Sequence, residues 1–406
     1  MKRILYIHHA GGIGGAPLSL LYLLQKLDRS RYEPVVVTLK DGPVVDLYRA
    51  EGIETHVERR ATDFSHTTLE WYGGRDLWRL PGKLVGIPRS IYHLRRIVKK
   101  FEPDIVHLNS STLVSAAIAS KLESRPVVWH IREPLHSGYV GLRRAWIRKV
   151  AAQTACRLVA ICQNDADQIM PGGDPRLRIV YNFVHFNMFD RSLTGSTFRE
   201  EVGLNPDTPI VAMLGGVAEP KGTLTLIKAL PALVDQVPDA RVIVAGPPPR
   251  PLDEGGVKGM VKRLLGVDAY QKAVQRAIDA LPEEARRALI FTGIRRDMPD
   301  VIAASSCVVF PSSVPHFARP VIEAAAMGVP AVASDLGGPR ELIVDGKTGL
   351  LVPPGDPQRL AAAIVEILCN PTTARRMGEA AYQRALNLFD AERNATATVA
   401  LYEEII

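Results

Sequence analysis

The chain contains little cysteine, with Cys156, Cys162, Cys307 and Cys369 the four among 406 residues. They form no C-x-x-C pair and have no metal-site spacing, so neither a disulfide scaffold nor a cysteine metal centre is indicated. We expect four buried, reduced thiols and a reducing compartment. No serine or cysteine nucleophile motif stands out.

Long apolar runs are also missing. None approaches the length needed to span a bilayer. The apolar residues 4–7 are too few for the core of a signal peptide. With 47% hydrophobic residues and no low-complexity tract, the chain should fold throughout, and we expect a cytoplasmic protein.

Positive charge is concentrated in the first half. Residues 1–185 contain 27 Lys and Arg against 17 Asp and Glu, whereas the remainder contains 23 against 26. This asymmetry favours an anionic partner. A solvated basic face explains it equally well.

One basic segment also carries aromatic residues. Residues 75–100 include eight Lys and Arg, and Trp71, Trp78 and Tyr92 are interleaved or adjacent. This mixture suits peripheral binding to the inner membrane face or a lipid-linked acceptor. Single-stranded nucleic acid would suit it too, but no nucleic-acid fold signature accompanies it, and we expect no nucleic-acid partner. An ordinary helix with one core face is the alternative.

Short apolar runs alternate with helical stretches along the whole chain. The predicted strands are 3–8, 34–39, 105–108, 127–131, 158–161, 178–181, 209–214, 241–245, 289–292, 307–310, 331–334 and 350–352. Continuous apolar strands between helices predict doubly wound α/β architecture. Twelve strands exceed one such sheet, so we expect two domains joined within 182–198. A final helix from about residue 390 could belong to either domain.

The most informative segment is 315–330, which follows an apolar strand and reads as a loop and a helix. Pro320 suits the first helical turn, and Gly328 ends the helix. A helix N-terminus beyond a strand's carboxyl end is a natural anion site. Glu323 lies one turn inside it, so we expect this carboxylate to bind a ribose beside a phosphate.

Two glycine-rich loops follow the first strand of each half. Gly14 and Gly15 open a helix but lack the third glycine of a dinucleotide fingerprint. Gly215 and Gly216 precede Lys221, whose ammonium could reach a pyrophosphate. Taken alone, the pattern favours an ordinary surface lysine, but in combination with the Glu323 loop we favour phosphate contact.

Two further patterns have structural alternatives. Residues 257–265 have an apolar helical face that suits either an interfacial helix or, more simply, a helix covering the sheet. Asp165 and Asp167 resemble a D-x-D metal motif. They follow Gln163 and Asn164 at an expected helix start, where acids favour the macrodipole. We therefore expect capping and no metal.

Together these motifs resemble the GT-B retaining glycosyltransferases of glycosyltransferase family 4, over nearly the whole chain. The family's E-G-F-G-x-x-x-x-E loop, A-x-x-x-G-x-P and G-G-x-x-E-x-(I/V)-x-D-G-x-x-G-x-L patterns are matched by Phe317, Glu323, Ala324, Gly328, Pro330, Gly337, Gly338, Glu341, Asp345, Gly346, Gly349 and Leu351. The first half is similar at Gly14 to Ala16, at 103–107, and at His130, Tyr181 and Asn182.

The resemblance implies two facing Rossmann-like domains. Residues 1–185 with a returning helix 390–406 would form the acceptor side, and residues 186–389 would bind a nucleotide-sugar donor without metal or cofactor. The implied catalytic residues are Lys221 at the leaving diphosphate, Glu323 at the ribose and His130 at the sugar. The other implied donor-binding residues are Gly14, Gly15, Gly215, Gly216, Phe317, Ala318 and Arg319.

Two positions depart from the family pattern. Pro315 stands where the family's first loop glutamate would fall, and Gly216 where its arginine would fall. Arg295, Arg296 or Arg319 is a candidate to replace that cation. The missing charges leave a non-catalytic nucleotide-sugar-binding relative as the main alternative to a retaining transferase of cell-surface glycan or glycolipid assembly. A nucleotide-sugar epimerase stays open, and a dehydrogenase rests only on the α/β pattern.

Overall fold

The computed structural model describes residues 1–64, 80–249 and 269–406. The chain forms two compact units, Met1–Phe183 with Ala391–Ile406, and Val184–Asp390. The predicted helical face at 257–265 lies outside the described residues, as do Trp71 and Trp78.

The first unit contains a parallel seven-stranded sheet of order β3-β2-β1-β4-β5-β6-β7. Its strands are β1 (Lys2–His8), β2 (Tyr32–Thr38), β3 (Glu54–Val57), β4 (Ile105–Asn109), β5 (Val127–Ile131), β6 (Arg157–Ala160) and β7 (Leu177–Ile179). Its helices are α1 (Gly15–Gln25), α2 (Pro43–Ala50), α3 (Leu80–Phe101), α4 (Val114–Leu122), α5 (Leu142–Thr154) and α6 (Gln163–Ile169).

Both faces of this sheet are buried. Leu5 and Ile7 of β1 join one core, whereas Ile4 and Tyr6 join the other. Successive side chains of a strand point to opposite faces. Burial on both sides therefore explains why the strands read as continuous apolar runs.

The second unit contains six parallel strands of order β10-β9-β8-β11-β12-β13. They are β8 (Ile210–Leu214), β9 (Arg241–Ala245), β10 (Leu289–Gly293), β11 (Cys307–Phe310), β12 (Ala331–Ser334) and β13 (Gly349–Val352). The helices are α7 (Ser196–Glu201), α8 (Thr223–Gln236), α9 (Ala269–Asp279), α10 (Glu283–Ala288), α11 (Met298–Ala303), α12 (Arg319–Ala326), α13 (Pro339–Leu342), α14 (Pro357–Cys369) and α15 (Pro371–Leu388).

The final helix, α16 (Ala391–Glu403), packs on the first unit. Leu401 and Tyr402 lie in the core that contains Ile4. At the surface, Glu403 pairs with Arg31 at 2.6 Å. The predicted doubly wound α/β class, with a final helix returning to the first domain, is confirmed.

Two sequence-based expectations need correction. Strand β3 is missing from the predicted set because it is short, polar and paired on one side only, with β2. Cys162 and Cys307 are buried as expected, but Cys156 and Cys369 are exposed. Both exposed thiols lie where a helix ends.

None of the helices described is at once long and apolar enough to cross a bilayer.

Candidate functional site

Each sheet has one point at which the strand order reverses. In the second unit the chain continues from β8 to β9 on one side and later returns to β11 on the other; in the first unit the same occurs at β1 and β4. Open parallel sheets bind ligands beyond the carboxyl ends of the strands at such points. A ligand is therefore expected beyond the carboxyl ends of the strands at these two positions.

The loop after β8 holds Lys221 against its own backbone. Gly215 and Gly216 have φ angles of 102° and 73°, which glycine adopts readily. This conformation brings the carbonyl oxygen of Gly215 to the Lys221 ammonium, which donates a hydrogen bond to it. Burial lowers the pKa of Lys221. A mostly desolvated ammonium thus lies at the strand-order reversal, as a diphosphate contact requires.

The structure gives a physical reason for glycine at 216. A Cβ added there would lie 2.4 Å from the backbone nitrogen of Pro247, well inside van der Waals contact. The backbone at 216 is also left-handed. The position where the family has arginine therefore has no space for a side chain in this conformation.

The Lys221 loop and the loop after β11 pack directly on each other. A Cβ on Gly222 would lie 1.6 Å from the Pro311 carbonyl oxygen, and the Ser313 hydroxyl donates to the Glu219 carbonyl at 2.7 Å. Strands β8 and β11 are hydrogen-bonded neighbours. The structure thus brings together the two loops predicted to hold the donor.

Glu323 lies in α12 and is paired within its own helix. The Arg319 Nε donates to Glu323 Oε1 at 2.8 Å, and the two side chains are 15% and 13% exposed. Burial raises the pKa of Glu323, and the neighbouring guanidinium opposes that rise. Arg319 therefore neutralises the predicted ribose ligand and engages one of its oxygens.

Phe317 and Ala318, at the start of α12, are buried. The Phe317 carbonyl accepts a hydrogen bond from the Arg319 amide at 3.1 Å and contacts His316 Nδ1 at 2.7 Å. These contacts hold the loop in a defined turn. The donor contact of Phe317 and Ala318 that the family resemblance implies stays a prediction.

Gly337 and Gly338 lie against the 315–317 loop of the chain itself. An added Cβ would lie 2.8 Å from Pro315 Cα at Gly337, and 2.8 Å from the His316 carbonyl oxygen at Gly338. The glycine pair therefore permits close approach of the chain's own 315–317 loop.

Arg295 requires the clearest correction. Its guanidinium donates two hydrogen bonds of 2.6 Å to Glu201, and two of 2.8 and 2.6 Å to Asp297. It also lies 5.1 Å from the centre of the Phe198 ring. Arg295 follows β10, the edge strand, and fastens α7 to it. We assign it a structural role rather than the predicted donor contact.

In the first unit, Gly14 and Gly15 start α1 beyond the end of β1. Gly14 is the extended residue before the helix, and its carbonyl oxygen accepts from the Leu18 amide at 3.1 Å. A Cβ added to either glycine would meet no atom within 4 Å. The space over this helix start is open to a ligand, as a loop closing on a phosphate or sugar requires.

His130 is the last residue but one of β5 and is 2% exposed. Its ring lies 5.4 Å from that of His107, and the Tyr402 hydroxyl contacts His107 Nδ1 at 2.6 Å. Burial, with Arg132 and His107 nearby, lowers the pKa of His130 well below its usual value. His130 is therefore a neutral imidazole, which can exchange hydrogen bonds with a sugar hydroxyl.

A buried polar network beside His130 was missed in the sequence. Arg132 donates from Nε to Asn109 and from a terminal nitrogen to Asn182, both at 2.8 Å. The Glu133 carboxylate accepts from the Ser111 amide at 2.9 Å. Polar residues directly after the apolar strands β4 and β5 were the available signal. The network forms a polar, hydrogen-bonding floor at the first unit's strand-order reversal.

In the part of the chain that the structure describes, no three or more His, Cys, Asp or Glu are grouped to hold a metal ion. Asp165 lies in the first turn of α6 and accepts from Asn164 at 3.0 Å. The residue before the helix, Cys162, makes no side-chain cap. Asp165 therefore acts through the helix dipole rather than as a capping side chain.

Two family profiles match the chain and together cover both units. The one described as Glycosyl transferases group 1 matches residues 196–384, and the one described as Glycosyltransferase Family 4 matches residues 13–187. The chain belongs to the group 1 glycosyltransferases of the GT-B fold.

Curated relatives are similar to this chain over part of its length. The D-inositol 3-phosphate glycosyltransferase of Kribbella flavida is 28% identical over 62% of this chain and 57% of its own length. The alpha-maltose-1-phosphate synthase of Mycolicibacterium smegmatis is 26% identical over 64% and 66%. The chain thus spans between half and two thirds of these relatives' length.

Solved structures show the same fold over the full length. The Anabaena protein HepE in complex with UDP is 24% identical, with all of both chains covered and a TM-score of 0.75. A glycosyltransferase from Rickettsia africae is 18% identical, with 100% and 98% covered and the same TM-score.

Proposed function

We propose that the protein transfers a sugar from a nucleotide-sugar donor to an acceptor, with retention of the anomeric configuration. The observation that carries this proposal is the direct packing of the Lys221 loop on the loop that leads to Glu323. It places a mostly buried cation on a loop that contacts the loop leading into α12, the helix that carries the Glu323 carboxylate. A diphosphate needs the first and a ribose the second.

In this proposal the second unit binds the donor. The Lys221 ammonium turns from the Gly215 carbonyl to the leaving diphosphate and stabilises the charge that develops there. Glu323 accepts hydrogen bonds from the ribose hydroxyls while Arg319 keeps the carboxylate ionised. HepE has been solved with UDP-glucose, which makes a uridine nucleotide the first donor to test.

The first unit supplies the sugar and acceptor contacts. Neutral His130 binds a hydroxyl of the transferred sugar, and Gly14 and Gly15 admit the sugar and phosphate close to the start of α1. The acceptor hydroxyl attacks the face that the nucleotide leaves, and the leaving phosphate takes its proton. Catalysis then depends on positioning and charge stabilisation.

A panel of UDP-, GDP- and ADP-sugars tests the donor. Thermal shift identifies the nucleotide, and release of nucleoside diphosphate with and without candidate acceptors measures turnover. Lys221→Ala and Glu323→Ala should lose turnover, whereas the exposed-site controls Lys228→Ala and Glu366→Ala should keep it. The anomeric configuration of the product, read by NMR, tests retention; an inverted product would refute it.

A non-catalytic nucleotide-sugar-binding protein is the second candidate. The observation that favours it is the blocked position at Gly216, together with Pro315 in place of a loop carboxylate and the engagement of Arg295 by acids. Lys221 is then left as the principal cation for the leaving group. Donor binding without turnover, with any acceptor tried, would favour this candidate.

A further inference from the structure

Arg132 is a buried cation at the carboxyl edge of the first unit's sheet. It is 6% exposed and directly follows β5, two residues after His130. It donates hydrogen bonds of 2.8 Å to the neutral side-chain amides of Asn109 and Asn182. Taking a guanidinium out of water is costly, and an apolar side chain of similar volume would fill the space without that cost. The position of Arg132 therefore indicates a role other than stabilising the fold.

The Asn109 side chain links this guanidinium to the start of α1. Asn109 is the last residue of β4 and lies beside His130 in the register of the sheet. Its amide oxygen accepts from Arg132, and its amide nitrogen donates to the Ala16 carbonyl at 3.2 Å. Ala16 follows Gly15 in the first turn of α1. One amide thus joins the strand that carries His130 to the glycine-rich helix start.

Asn182 makes a second link between Arg132 and the same helix. Its side-chain oxygen accepts from Arg132 at 2.8 Å and from the Ser19 hydroxyl at 3.3 Å. Ser19 lies about one turn beyond Ala16 in α1. The two links hold the first turns of α1 from two sides.

Arg132 also determines how the two amides are oriented. A guanidinium donates hydrogen bonds and accepts none, so the oxygen of each amide must face it. The nitrogen of Asn109 is thereby turned toward the Ala16 carbonyl. The donors of a guanidinium have a fixed planar arrangement, which a lysine ammonium lacks. Arg132 is therefore suited to hold both amides in one geometry.

The groups that this network connects are the ones assigned above to the transferred sugar. His130 lies on the strand side of the network, and Gly14 and Gly15 form the helix start on the other. Transfer rates depend steeply on the placement of the reacting groups, and a displacement of about 1 Å can cost about a hundredfold. The spacing between the strand end and the helix start should therefore affect turnover.

We propose that Arg132 is a positioning residue for sugar transfer, which holds the start of α1 at a fixed distance from His130 through Asn109 and Asn182. Arg132 acts through these amides and touches no substrate itself. The inference rests on the proposed function, because it concerns the sugar contacts of that same site.

Two substitutions of Arg132 test the proposal in the full chain. Arg132→Met fills a similar volume without donors, and Arg132→Lys keeps the charge without the planar fork. Each should lower kcat about ten- to a hundredfold. The affinity for nucleoside diphosphate should stay as in the wild type, because those contacts belong to the second unit. The amide NMR signals of Gly14 and Gly15 should shift in both variants.

Arg143→Met is the matched control. Arg143 is 1% exposed and lies in α5. Helix α5 packs on the opposite face of the sheet from α1, since Ile147 belongs to one core and Leu20 to the other. This variant should lower the melting temperature but leave kcat and both glycine signals unchanged.

Four outcomes would overturn the proposal. Wild-type kcat and glycine signals in Arg132→Lys would show that positive charge alone suffices. An equal loss of kcat in Arg143→Met would indicate general destabilisation. Weaker nucleotide binding by Arg132→Met at unchanged kcat would indicate a role in donor affinity. Unshifted glycine signals in Arg132→Met would show that Arg132 does not position α1. These signals need no turnover, so absence of turnover in the wild type would refute the transferase and still leave this inference decided by NMR.

Discussion

Replacing Glu323 by alanine separates a ribose-binding carboxylate from one that merely balances Arg319. The two side chains are mostly buried, and one carboxylate oxygen is held by Arg319 at 2.8 Å. The second oxygen is the one we assign to the ribose. Truncation should therefore affect both nucleotide binding and folding, by separate physical routes.

The expected loss of binding follows from the contact removed. A hydrogen bond to a charged group contributes about 1.5–3 kcal/mol, so the variant should bind nucleoside diphosphate roughly 10- to 150-fold more weakly. Titration calorimetry measures this directly with the nucleotide that the donor panel selects. Removing both ribose hydroxyls, in a 2′,3′-dideoxy analogue, should weaken binding to the wild type by a similar factor. The same change should scarcely weaken binding to Glu323→Ala, because that variant already lacks the contact.

The matched variant is Arg319→Ala, which leaves the carboxylate in place. It should lower the melting temperature, because a mostly buried charge loses its partner, yet still discriminate the nucleotide from its dideoxy analogue. If Glu323→Ala binds the nucleotide as tightly as the wild type and only its melting temperature falls, Glu323 does not bind the ribose. Glu323 would then be a structural partner of Arg319.

Three further predictions concern other parts of the molecule. Gly216→Arg should lower the melting temperature of the protein. A non-glycine residue in the left-handed conformation costs about 1–2 kcal/mol, and the added Cβ would meet Pro247. Tighter donor binding by this variant would contradict this steric explanation. Burial lowers the pKa of Lys221, and only the protonated ammonium attracts phosphate. The affinity for nucleoside diphosphate should therefore decline as pH rises through this pKa. If Lys221→Met shows the same pH dependence as the wild type, Lys221 is not its source. Burial raises the pKa of Asp63 to about 7, above its unfolded value of about 3.9. The folded state therefore keeps a proton that the unfolded state releases, and stability should fall by up to about 4 kcal/mol as pH rises from roughly 4 to 7. Asp63→Asn should abolish that fall in urea denaturation, and a fall of the same size in the variant would rule out Asp63 as its source.

The sequence was a good guide to the sheets because parallel strands covered on both faces have a local signature. Core strands such as β8 and β11 are uninterrupted apolar runs, whatever lies beside them in space. Strand β3 escaped detection because it lies at an edge and contains exposed Glu54. Its place depends on pairing with β2, which no local pattern records.

For the candidate site, the sequence identified the positions more reliably than their partners. Loops that follow buried strands were recognisable from glycine, proline and single charged residues, and the Lys221 loop packs on the loop that leads into the helix of Glu323. The resemblance to a glycosyltransferase family extended this to His130. Arg295 looked equally suitable as a free cation, but Glu201, 94 residues away in the chain, engages it.

The sequence by itself therefore determined the α/β class, the two-domain plan and the loops that carry the candidate chemistry, because these follow from local periodicity and turn residues. Only the tertiary structure decided which polar groups meet. Glu323 is neutralised by Arg319, Gly216 is blocked by Pro247, and Arg132 joins Asn109 to Asn182. Apart from the Arg319 pair, one helical turn apart, these contacts join residues distant in the chain, and their energies depend on burial that only the packed fold supplies.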